Sequence, residues 1–364
     1  MERAGLPAES IGVVSALSSA GICWFLASGG PMLSHFGPIR TLQIGMACMA
    51  FGLLALSLPS GLVGLLGALA IGFGNGPNTP AGSQILIRSA PREHRTLIFS
   101  IKQAGVPLGG ALAGLVSAPF VVAHGVLPAL IMLVMVLLVC CLAVQPLRAT
   151  LEEEREERGP GWARALVQPA EVVRCITALR SHPTLPMLTA VGASYSLMQA
   201  CLTAFTATFV YTRHGVSLAE AGQVVAAMLL SSMCGRIVLG WLADRMGNAL
   251  RHLGVQAIIS ALSVAMLVMM GGEASWILYL SAGLVGFTAI GWNGVHIAEL
   301  ARVAPLHLVS SVTSASSLFG FAASFCGPLI FMVVVASGGY EAAFQVMAAQ
   351  LACFGVICLF VRRR

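Results

Sequence analysis

Gly240-Trp-Leu-Ala-Asp-Arg-Met-Gly247 is a short polar stretch between two long apolar ones, and a weaker copy of it occurs earlier in the chain. The copy is Gly30-Pro-Met-Leu-Ser-His-Phe-Gly37, so the second stretch follows the first by 210 positions. Another pair, Arg88-Ser-Ala-Pro91 and Arg302-Val-Ala-Pro305, is 214 positions apart. Two matches at nearly the same spacing indicate an internal repeat. The chain is therefore predicted to contain two bundles of similar design.

The segments around these motifs are long and apolar. Of the 364 residues, 57% are hydrophobic and only 9% are charged, which is too apolar for a soluble core with a polar surface. A helix that crosses a bilayer needs about 20 mainly apolar residues, because lipid offers no partner to backbone polar groups. This predicts an all-α polytopic membrane protein with five spans in the first bundle and six in the second. The predicted spans are 11–33, 41–58, 62–87, 97–123, 126–147, 185–211, 221–243, 253–271, 275–300, 308–337 and 342–361.

The basic residues predict the orientation in the membrane. Sixteen of the twenty Lys and Arg lie in every second connection or in the C-terminal tail, whereas Arg3 and Arg213 lie on the opposite side. Cytoplasmic loops are enriched in Lys and Arg. We therefore expect a cytoplasmic C-terminus, an external Met1 and a location in the cytoplasmic (plasma) membrane. The net charge of +6 then reflects topology, and no nucleic-acid partner is expected.

A polar segment separates the two bundles. It holds an acidic run from Glu152 to Glu157 and then an amphipathic stretch in which Val172 and Ile176 share a face. We interpret the second part as a helix on the inner membrane surface. The predicted domains are an N-terminal bundle, a cytoplasmic linker with an amphipathic helix, and a C-terminal bundle, at residues 1–147, 148–184 and 185–364.

The motif at 240–247 resembles the signature of the loop between helices 8 and 9 of the major facilitator superfamily. The first-half copy lies where that family has the same signature between helices 2 and 3. The resemblance covers nearly the whole chain in span order and loop position, and it implies the major facilitator fold. On this alignment the first span corresponds to family helix 2, so that family helix 1 is absent. Either the chain starts too late or it is an eleven-span variant.

The resemblance also implies a gate. The family's Asp in this motif faces the N-terminal end of a helix from the other half when the cytoplasmic side is closed; Asp244 matches it, with an expected partner near Ser100. Ser34 and His35 replace the Asp and Arg in the first copy, so the gate is predicted to be asymmetric. The alternative is that Asp244 and Arg245 are simple loop charges. The predicted gate residues are Gly240, Asp244, Arg245, Gly247, Ser34 and Gly37.

The fourth span contains Lys102, the only lysine, followed by Gln103 and Gly105-Val-Pro-Leu-Gly-Gly110. This resembles the glycine and proline signature of family helix 5, associated with antiporters, except that Val106 rather than Gly precedes the proline. We favour a role in bending and helix packing over an assignment of transport direction. The predicted hinge residues are Gly105, Pro107, Gly109, Gly110, Gly327 and Pro328.

Polar residues within spans usually face the interior of a bundle, because they are costly in lipid. They form stripes on the third, sixth and ninth spans, although any single one has an interhelical hydrogen bond as the alternative interpretation. Amide and aromatic groups suit a small organic solute. The predicted cavity residues are Asn75, Asn78 and Thr79, then Tyr195, Gln199 and Thr203, then Trp292, Asn293 and His296.

Protons are the candidate coupling ion, which requires an ionisable group in the membrane. Arg302 lies three residues after Glu299, which favours an ion pair over a proton relay. Arg236 precedes Asp244 by eight residues, about 12 Å along a helix, which favours a snorkelling or gate role. The coupling candidates are Glu299, Lys102 and Arg236, with His296 from the cavity set.

Other classes of function lack a motif. The sequence has no H-E-x-x-H, no G-x-S-x-G and no G-x-x-x-x-G-K-[ST], and its ten Cys include no C-x-x-C pair. We therefore predict no enzyme activity, no catalytic residues, no cofactor and no metal site. The predicted function is a secondary active transporter that moves a small organic solute by alternating access, with lipid and the solute as its partners. The alternative is a non-transporting remnant or a membrane sensor with the same fold, and the direction of transport stays open.

Overall fold

The described part of the chain consists of α-helices joined by short 3₁₀ and π turns and bends, with no strand. The all-α prediction is therefore confirmed. The computed structural model describes residues 11–58, 60–151, 161–269 and 275–360. The predicted acidic run from Glu152 to Glu157 lies outside the described residues. In chain order the α-helices are α1 (Ile11–Ser28), α2 (Gly30–Phe36), α3 (Pro38–Ala55), α4 (Gly61–Asn75), α5 (Asn78–Ser89), α6 (Arg95–His124), α7 (Val126–Ala143), α8 (Arg148–Leu151), α9 (Trp162–Ala165), α10 (Pro169–Thr177), α11 (Leu185–His214), α12 (Leu218–Met246), α13 (Ala249–Met269), α14 (Ser275–Val285), α15 (Asn293–Val303) and α16 (Val309–Phe360).

The helix lengths fit a bilayer. By length and composition, seven of the described helices could cross a membrane, and an eighth is counted if α1 and α2, which meet at a bend of 68°, form one span. Each of the eleven predicted spans coincides with helical segments. The third span consists of α4 and α5, the ninth of α14 and α15, and the last two lie within α16. The observed ends differ from the predicted ones by only a few residues.

The internal repeat is visible in the backbone. Pro91 has φ −54° and ψ 139°, and Pro305, 214 positions later, has φ −55° and ψ 141°. A 3₁₀ turn follows each proline, at Arg92–His94 and at Leu306–Leu308, and each turn leads directly into a long helix, α6 or α16. Because the same turn recurs at the same spacing as the sequence match, the repeat is structural as well as sequential.

The ends of these two long helices also correspond. Gly125 ends α6 with φ 88° and ψ 174°, and Gly339 interrupts α16 with φ 79° and ψ 177°. These residues are again 214 positions apart. A positive φ with extended ψ is accessible almost only to glycine, because a Cβ would clash with the backbone. Gly339 therefore divides α16 into the two segments that were predicted as separate spans.

The third and ninth spans, one in each half, are broken at a similar point. Pro77 cannot donate a backbone hydrogen bond, and the turn at Gly76 and Pro77 separates α4 from α5. In the second half a π-helical segment, Gly286–Ile290, and a turn at Gly291 and Trp292 separate α14 from α15. Irregular backbone at membrane depth is tolerated where protein or water surrounds it, and π segments often mark functional sites. Predicted cavity residues flank both breaks.

Close contacts at small residues pack the helices. Gly52 on α3 faces Gly67 on α4 so closely that a Cβ on Gly67 would lie 2.7 Å from the Gly52 carbonyl oxygen. In the second half, Gly235 on α12 lies against the backbone of Phe287, and Gly286 lies against that of Met228. In a membrane such contacts stabilise helix pairs by dispersion, because lipid supplies no hydrophobic driving force between helices.

The contacts define two compact units. The first comprises residues 1–89, 112–181 and 305–318, and the second comprises 90–111, 182–304 and 319–364. These bounds differ from the predicted domain limits because the start of α6 packs with second-half helices, and the predicted domains stay a prediction. In the first unit, Trp24 Nε1 donates to the Leu166 carbonyl at 2.7 Å, which attaches the end of α9 to α1.

Candidate gate and solute site

The motif at 240–247 forms the last turns of α12. Gly247 follows the helix with φ 66° and ψ 0°, a left-handed conformation that ends helices, and its N–H donates to the Ala243 carbonyl at 3.2 Å. The guanidinium of Arg245 lies 4.0 Å from the centre of the Trp241 ring, a cation–π contact that keeps this side chain on its own helix. The neighbouring Asp244 side chain contacts another helix instead.

The Asp244 carboxylate accepts two hydrogen bonds at the start of α6. Oδ1 is 3.0 Å from the Thr96 nitrogen, and Oδ2 is 2.8 Å from the Leu97 nitrogen. The first N–H groups of a helix have no partner within it, and the aligned peptide dipoles make this end positive. A carboxylate satisfies both requirements. The contact lies one turn before Ser100 and falls within the second compact unit.

One turn further along α6, small residues allow the helices to pack closely. The Ser100 side chain on α6 is fully buried between Gly240 on α12 and Gly294 on α15. A Cβ on either glycine would overlap the Ser100 side chain. The serine therefore fits at this position only because both facing residues are glycines.

A third level of contact lies deeper. Arg236 on α12, of which only 4% is exposed, donates from its guanidinium to the backbone carbonyl of Gln103 on α6. The Gln103 side-chain amide in turn donates to the Asn293 side-chain oxygen at the start of α15. Arg236, Gly240 and Asp244 are spaced four residues apart, so one face of α12 follows α6 over two turns.

Charges cluster at the same end of these helices. Arg95 interacts electrostatically with Asp244 as an opposite charge and with Arg92 and Arg302 as like charges. Arg302 forms a bidentate ion pair with Glu299, with nitrogen–oxygen distances of 2.6 and 2.5 Å. The Glu299 side chain is only 3% exposed, whereas that of Arg302 is 44% exposed. Glu299 thus forms the ion pair that the sequence favoured over a proton relay, and its role in coupling stays a prediction.

The first copy of the motif makes different contacts. The Ser34 hydroxyl donates to the Gly30 carbonyl of its own helix at 3.3 Å. His35 packs edge-on against Phe36 and stacks on Trp162, at centroid distances of 4.7 and 6.4 Å. Gly37 has φ 80°, so both copies of the motif end on a glycine with positive φ. The closing glycine recurs, although its ψ is 165° at Gly37 and 0° at Gly247, and the carboxylate contact does not recur.

Three predicted cavity residues form a buried aromatic cluster. Tyr195 is fully buried, stacks on Trp292 at 5.1 Å and 13°, and donates its hydroxyl to the Leu253 carbonyl at 3.0 Å. His296 packs on Trp292 at 5.1 Å, and its Nε2 lies 2.9 Å from the Leu188 carbonyl. In this conformation these rings are part of the protein interior.

The other predicted cavity residues are more accessible. Trp292 Nε1 donates to the Gln199 side-chain oxygen at 3.0 Å, and both Gln199 and Asn293 are half-buried. Thr203 is exposed, although its hydroxyl donates within α11. In the first compact unit, Asn75 and Asn78 are exposed and Thr79 is half-buried. Their role in solute binding stays a prediction.

The sequence profile of the Major Facilitator Superfamily matches residues 1–325. The chain belongs to this superfamily. An uncharacterized MFS-type transporter of Mycobacterium tuberculosis (strain CDC 1551 / Oshkosh) is 24% identical over 345 residues, which are 93% of this chain and 74% of that protein. The match covers both halves of the repeat.

Solved structures of the superfamily share the fold. The E. coli fucose:proton symporter FucP aligns with a TM-score of 0.74 at 12% identity, over 96% of this chain and 91% of its own. The human organic anion transporter MFSD10 aligns with a TM-score of 0.75 at 17% identity, over 97% and 86% of the two chains. These alignments confirm the predicted fold class: two pseudo-repeated helical bundles of the major facilitator type.

The predicted hinge residues of this major facilitator lie in two environments. A Cβ on Gly105 or Gly109 would meet no described atom within 4 Å, and α6 continues without a break through Pro107 and Gly110. On Gly327 it would meet the Leu197 carbonyl oxygen at 3.0 Å, so α16 packs closely on α11. Close packing therefore explains Gly327, next to Pro328, but does not explain Gly105 and Gly109 in this conformation.

The contacts of the candidate gate include residues that the sequence did not single out. Thr96 and Leu97 contribute only backbone N–H groups, so no side-chain pattern identifies them. No motif around Gly294 indicates its contact with Ser100. Lys102, in contrast, was singled out by charge, and it is half-buried beside Gln103 on α6.

Proposed function

We propose that this chain is a secondary active transporter that moves a small organic solute across the cytoplasmic membrane by alternating access, with protons as the coupling ion and a cytoplasmic C-terminus. Alternating access requires two conformations of similar free energy and contacts that exist in only one of them. The observation that carries the proposal is the contact of Asp244 with the N–H groups of Thr96 and Leu97.

The energy of this contact suits a gate. A carboxylate at a helix N-terminus contributes about 0.3–1 kcal/mol, or about 2 kcal/mol when partly buried. A free-energy difference of about 1.4 kcal/mol changes an equilibrium constant tenfold. Loss of the contact is therefore enough to redistribute two nearly equal populations, yet it does not threaten the stability of the fold.

The accessible polar side chains favour a solute with little or no net charge. Gln199, Thr203 and Asn293 present amide and hydroxyl groups that both donate and accept hydrogen bonds. Trp292 N–H holds the Gln199 oxygen and so fixes the orientation of that amide. A small organic solute with several hydroxyl, amide or carbonyl groups matches such a lining.

Transport in proteoliposomes tests the proposal. Purified protein is reconstituted and assayed with a panel of small sugars, amides, carboxylic acids and amines under an imposed pH gradient. We expect at least one solute to accumulate faster than in protein-free vesicles, and we expect Asp244→Asn to slow its transport more than it weakens its binding. A protein that binds a solute from the panel but does not move it across the membrane would instead be a non-transporting remnant or a sensor.

A further inference from the structure

Arg236 is an unusual residue for the interior of a span. Its guanidinium is buried, it donates to the Gln103 carbonyl, and its Nε has no hydrogen-bond partner in the described part of the chain. A charged group at this depth is costly and is normally retained for a function. Its acceptor is a backbone carbonyl within a helix, a group that ordinarily already has a partner.

Pro107 explains why that carbonyl is available. In an α-helix the carbonyl of residue i accepts from the N–H of residue i+4, so the partner of Gln103 is residue 107. Proline has no N–H, and α6 nevertheless continues as one helix from Arg95 to His124. The Gln103 carbonyl is thus left without its helical donor, and the Arg236 guanidinium supplies the missing hydrogen bond.

We propose that Arg236 is a positioning residue of the transport cycle: it replaces the N–H that Pro107 lacks and thereby holds α6 against α12 at a second point, below the Asp244 contact. The proposal rests on the proposed alternating access, because it assigns this bond to one of the two conformations. Asp244 and Arg236 are eight residues apart, and their partners Leu97 and Gln103 are six residues apart, about 12 and 9 Å along the helices. The two contacts therefore fix both the position and the direction of this part of α6.

The two contacts differ in what happens when they open. Asp244 and the first N–H groups of α6 lie at helix ends, where water can replace the lost partners. Arg236 and the Gln103 carbonyl are buried, so both groups lose their partner together in a medium of low dielectric constant. The deeper contact thus favours an all-or-none separation of α6 from α12 over a gradual one. The contact thus pairs the Gln103 carbonyl of α6, which lacks its helical donor, with the buried Arg236 guanidinium of α12.

The test is a double-mutant cycle between Arg236 and Pro107. Arg236→Met removes the donor, and Pro107→Ala restores the backbone N–H to the Gln103 carbonyl. Hydrogen–deuterium exchange of peptides covering residues 95–106 is measured by mass spectrometry in detergent micelles. We expect Arg236→Met alone to speed this exchange by about tenfold, since an orphaned buried acceptor has an effect of that order. In the Pro107→Ala background the same substitution should change exchange less than about threefold.

Matched controls separate this mechanism from general damage. Arg251→Met removes a charge from the exposed start of α13 and should leave the exchange of α6 unchanged. Pro328→Ala restores an N–H within α16, so it should not rescue Arg236→Met. If Arg236→Met does not yield folded protein, recovery of monodisperse protein by adding Pro107→Ala, and not by adding Pro328→Ala, is the equivalent result. An equal effect of Arg236→Met with and without Pro107, or none in either background, overturns the proposal.

The exchange experiment is independent of transport. A protein that shows the non-additive exchange but moves no solute contradicts the proposed function and leaves the Arg236–Gln103 contact in place. A protein that transports solute but shows additive exchange contradicts only the role of Arg236. An Arg236 that served instead as a direct solute contact would lower solute affinity equally in both proline backgrounds.

Discussion

One difference between the two copies of the repeated motif bears directly on the gate, namely Ser34 in place of Asp. Both copies end on a glycine with positive φ, although ψ is 165° at Gly37 and 0° at Gly247. Asp244 can accept two hydrogen bonds with a full negative charge, whereas Ser34 has a neutral hydroxyl that is satisfied by Gly30 of its own helix. Charge-assisted hydrogen bonds are roughly twice as strong as neutral ones. The loss of the carboxylate at Ser34 is therefore one source of the asymmetry of the predicted gate, together with His35 in place of Arg.

Neutralising Asp244 should loosen the start of α6. Asp244→Asn removes the interaction with the helix dipole, which is worth about 1 kcal/mol, and leaves one acceptor for two N–H groups. The measurement is the rate at which a maleimide labels a cysteine introduced at Ser100, which is buried by α12 and α15. We expect labelling to be several-fold faster in Asp244→Asn and unchanged in Ser34→Ala. Equal effects of the two substitutions would contradict an asymmetric gate.

The native Cys175 should be inert in such labelling experiments. Burial, and secondarily the negative charge of Glu171, raise the pKa of this thiol to about 12. A raised pKa keeps the thiol protonated, so at pH 8 only about one molecule in ten thousand carries the reactive thiolate. Peptide mapping after N-ethylmaleimide treatment should find Cys175 unmodified while a cysteine introduced at Arg174, an exposed neighbour, is fully modified. Comparable labelling at both positions would show that the thiol is not buried as described.

At the level of helices, the α6–α12–α15 contact depends on the absence of side chains. Gly240→Ala or Gly294→Ala would place a methyl group on Ser100, and overpacking of this kind typically lowers stability by about 1–3 kcal/mol. Gly109 lies on α6 itself, and a methyl group there would meet no described atom within 4 Å. Gly109→Ala should therefore be neutral or stabilising by up to about 1 kcal/mol. Thermal unfolding midpoints in detergent compare the three variants. A loss at Gly109 as large as that at Gly294 would mean that another conformation packs α6 through its glycine face.

The same elements show what the sequence can predict. Hydropathy located the spans because bilayer thickness fixes the length of an apolar helix. Periodicity placed Tyr195 and Trp292 on inward faces, but it does not tell a cavity wall from a protein interior, and both are buried. The bond between Arg236 and Gln103 joins residues 133 positions apart and uses a backbone carbonyl, so no local pattern contains it. The π segment before Trp292 is not predictable from composition either, because it differs from an α-helix only in its backbone hydrogen-bond pattern.

At the scale of the whole molecule, the charges gather where the topology places them. The positive-inside bias predicts that the motif at 240–247, the start of α6 and the end of α15 share the cytoplasmic side. Within the second compact unit, Arg95 interacts electrostatically with both Asp244 and Arg302. The residues from which the orientation is predicted thus also surround the proposed gate.

Glu299 is the acid in this cluster whose neutralisation should uncouple transport. It is buried and held by Arg302, whose charge interacts with that of Arg95. We expect Glu299→Gln to abolish accumulation driven by a pH gradient while exchange of solute across the membrane continues, because exchange needs no net proton movement. The comparison uses proteoliposomes with either a pH gradient of one unit, about 1.4 kcal/mol per proton, or a potassium-diffusion potential of 100 mV, about 2.3 kcal/mol per charge. Glu341→Gln is the matched control, because Glu341 forms a half-exposed ion pair with Arg213 outside this cluster and should retain accumulation. Unimpaired pH-driven accumulation in Glu299→Gln would remove Glu299 as the proton carrier, and accumulation that responds to the potential but not to the pH gradient would remove protons as the coupling ion.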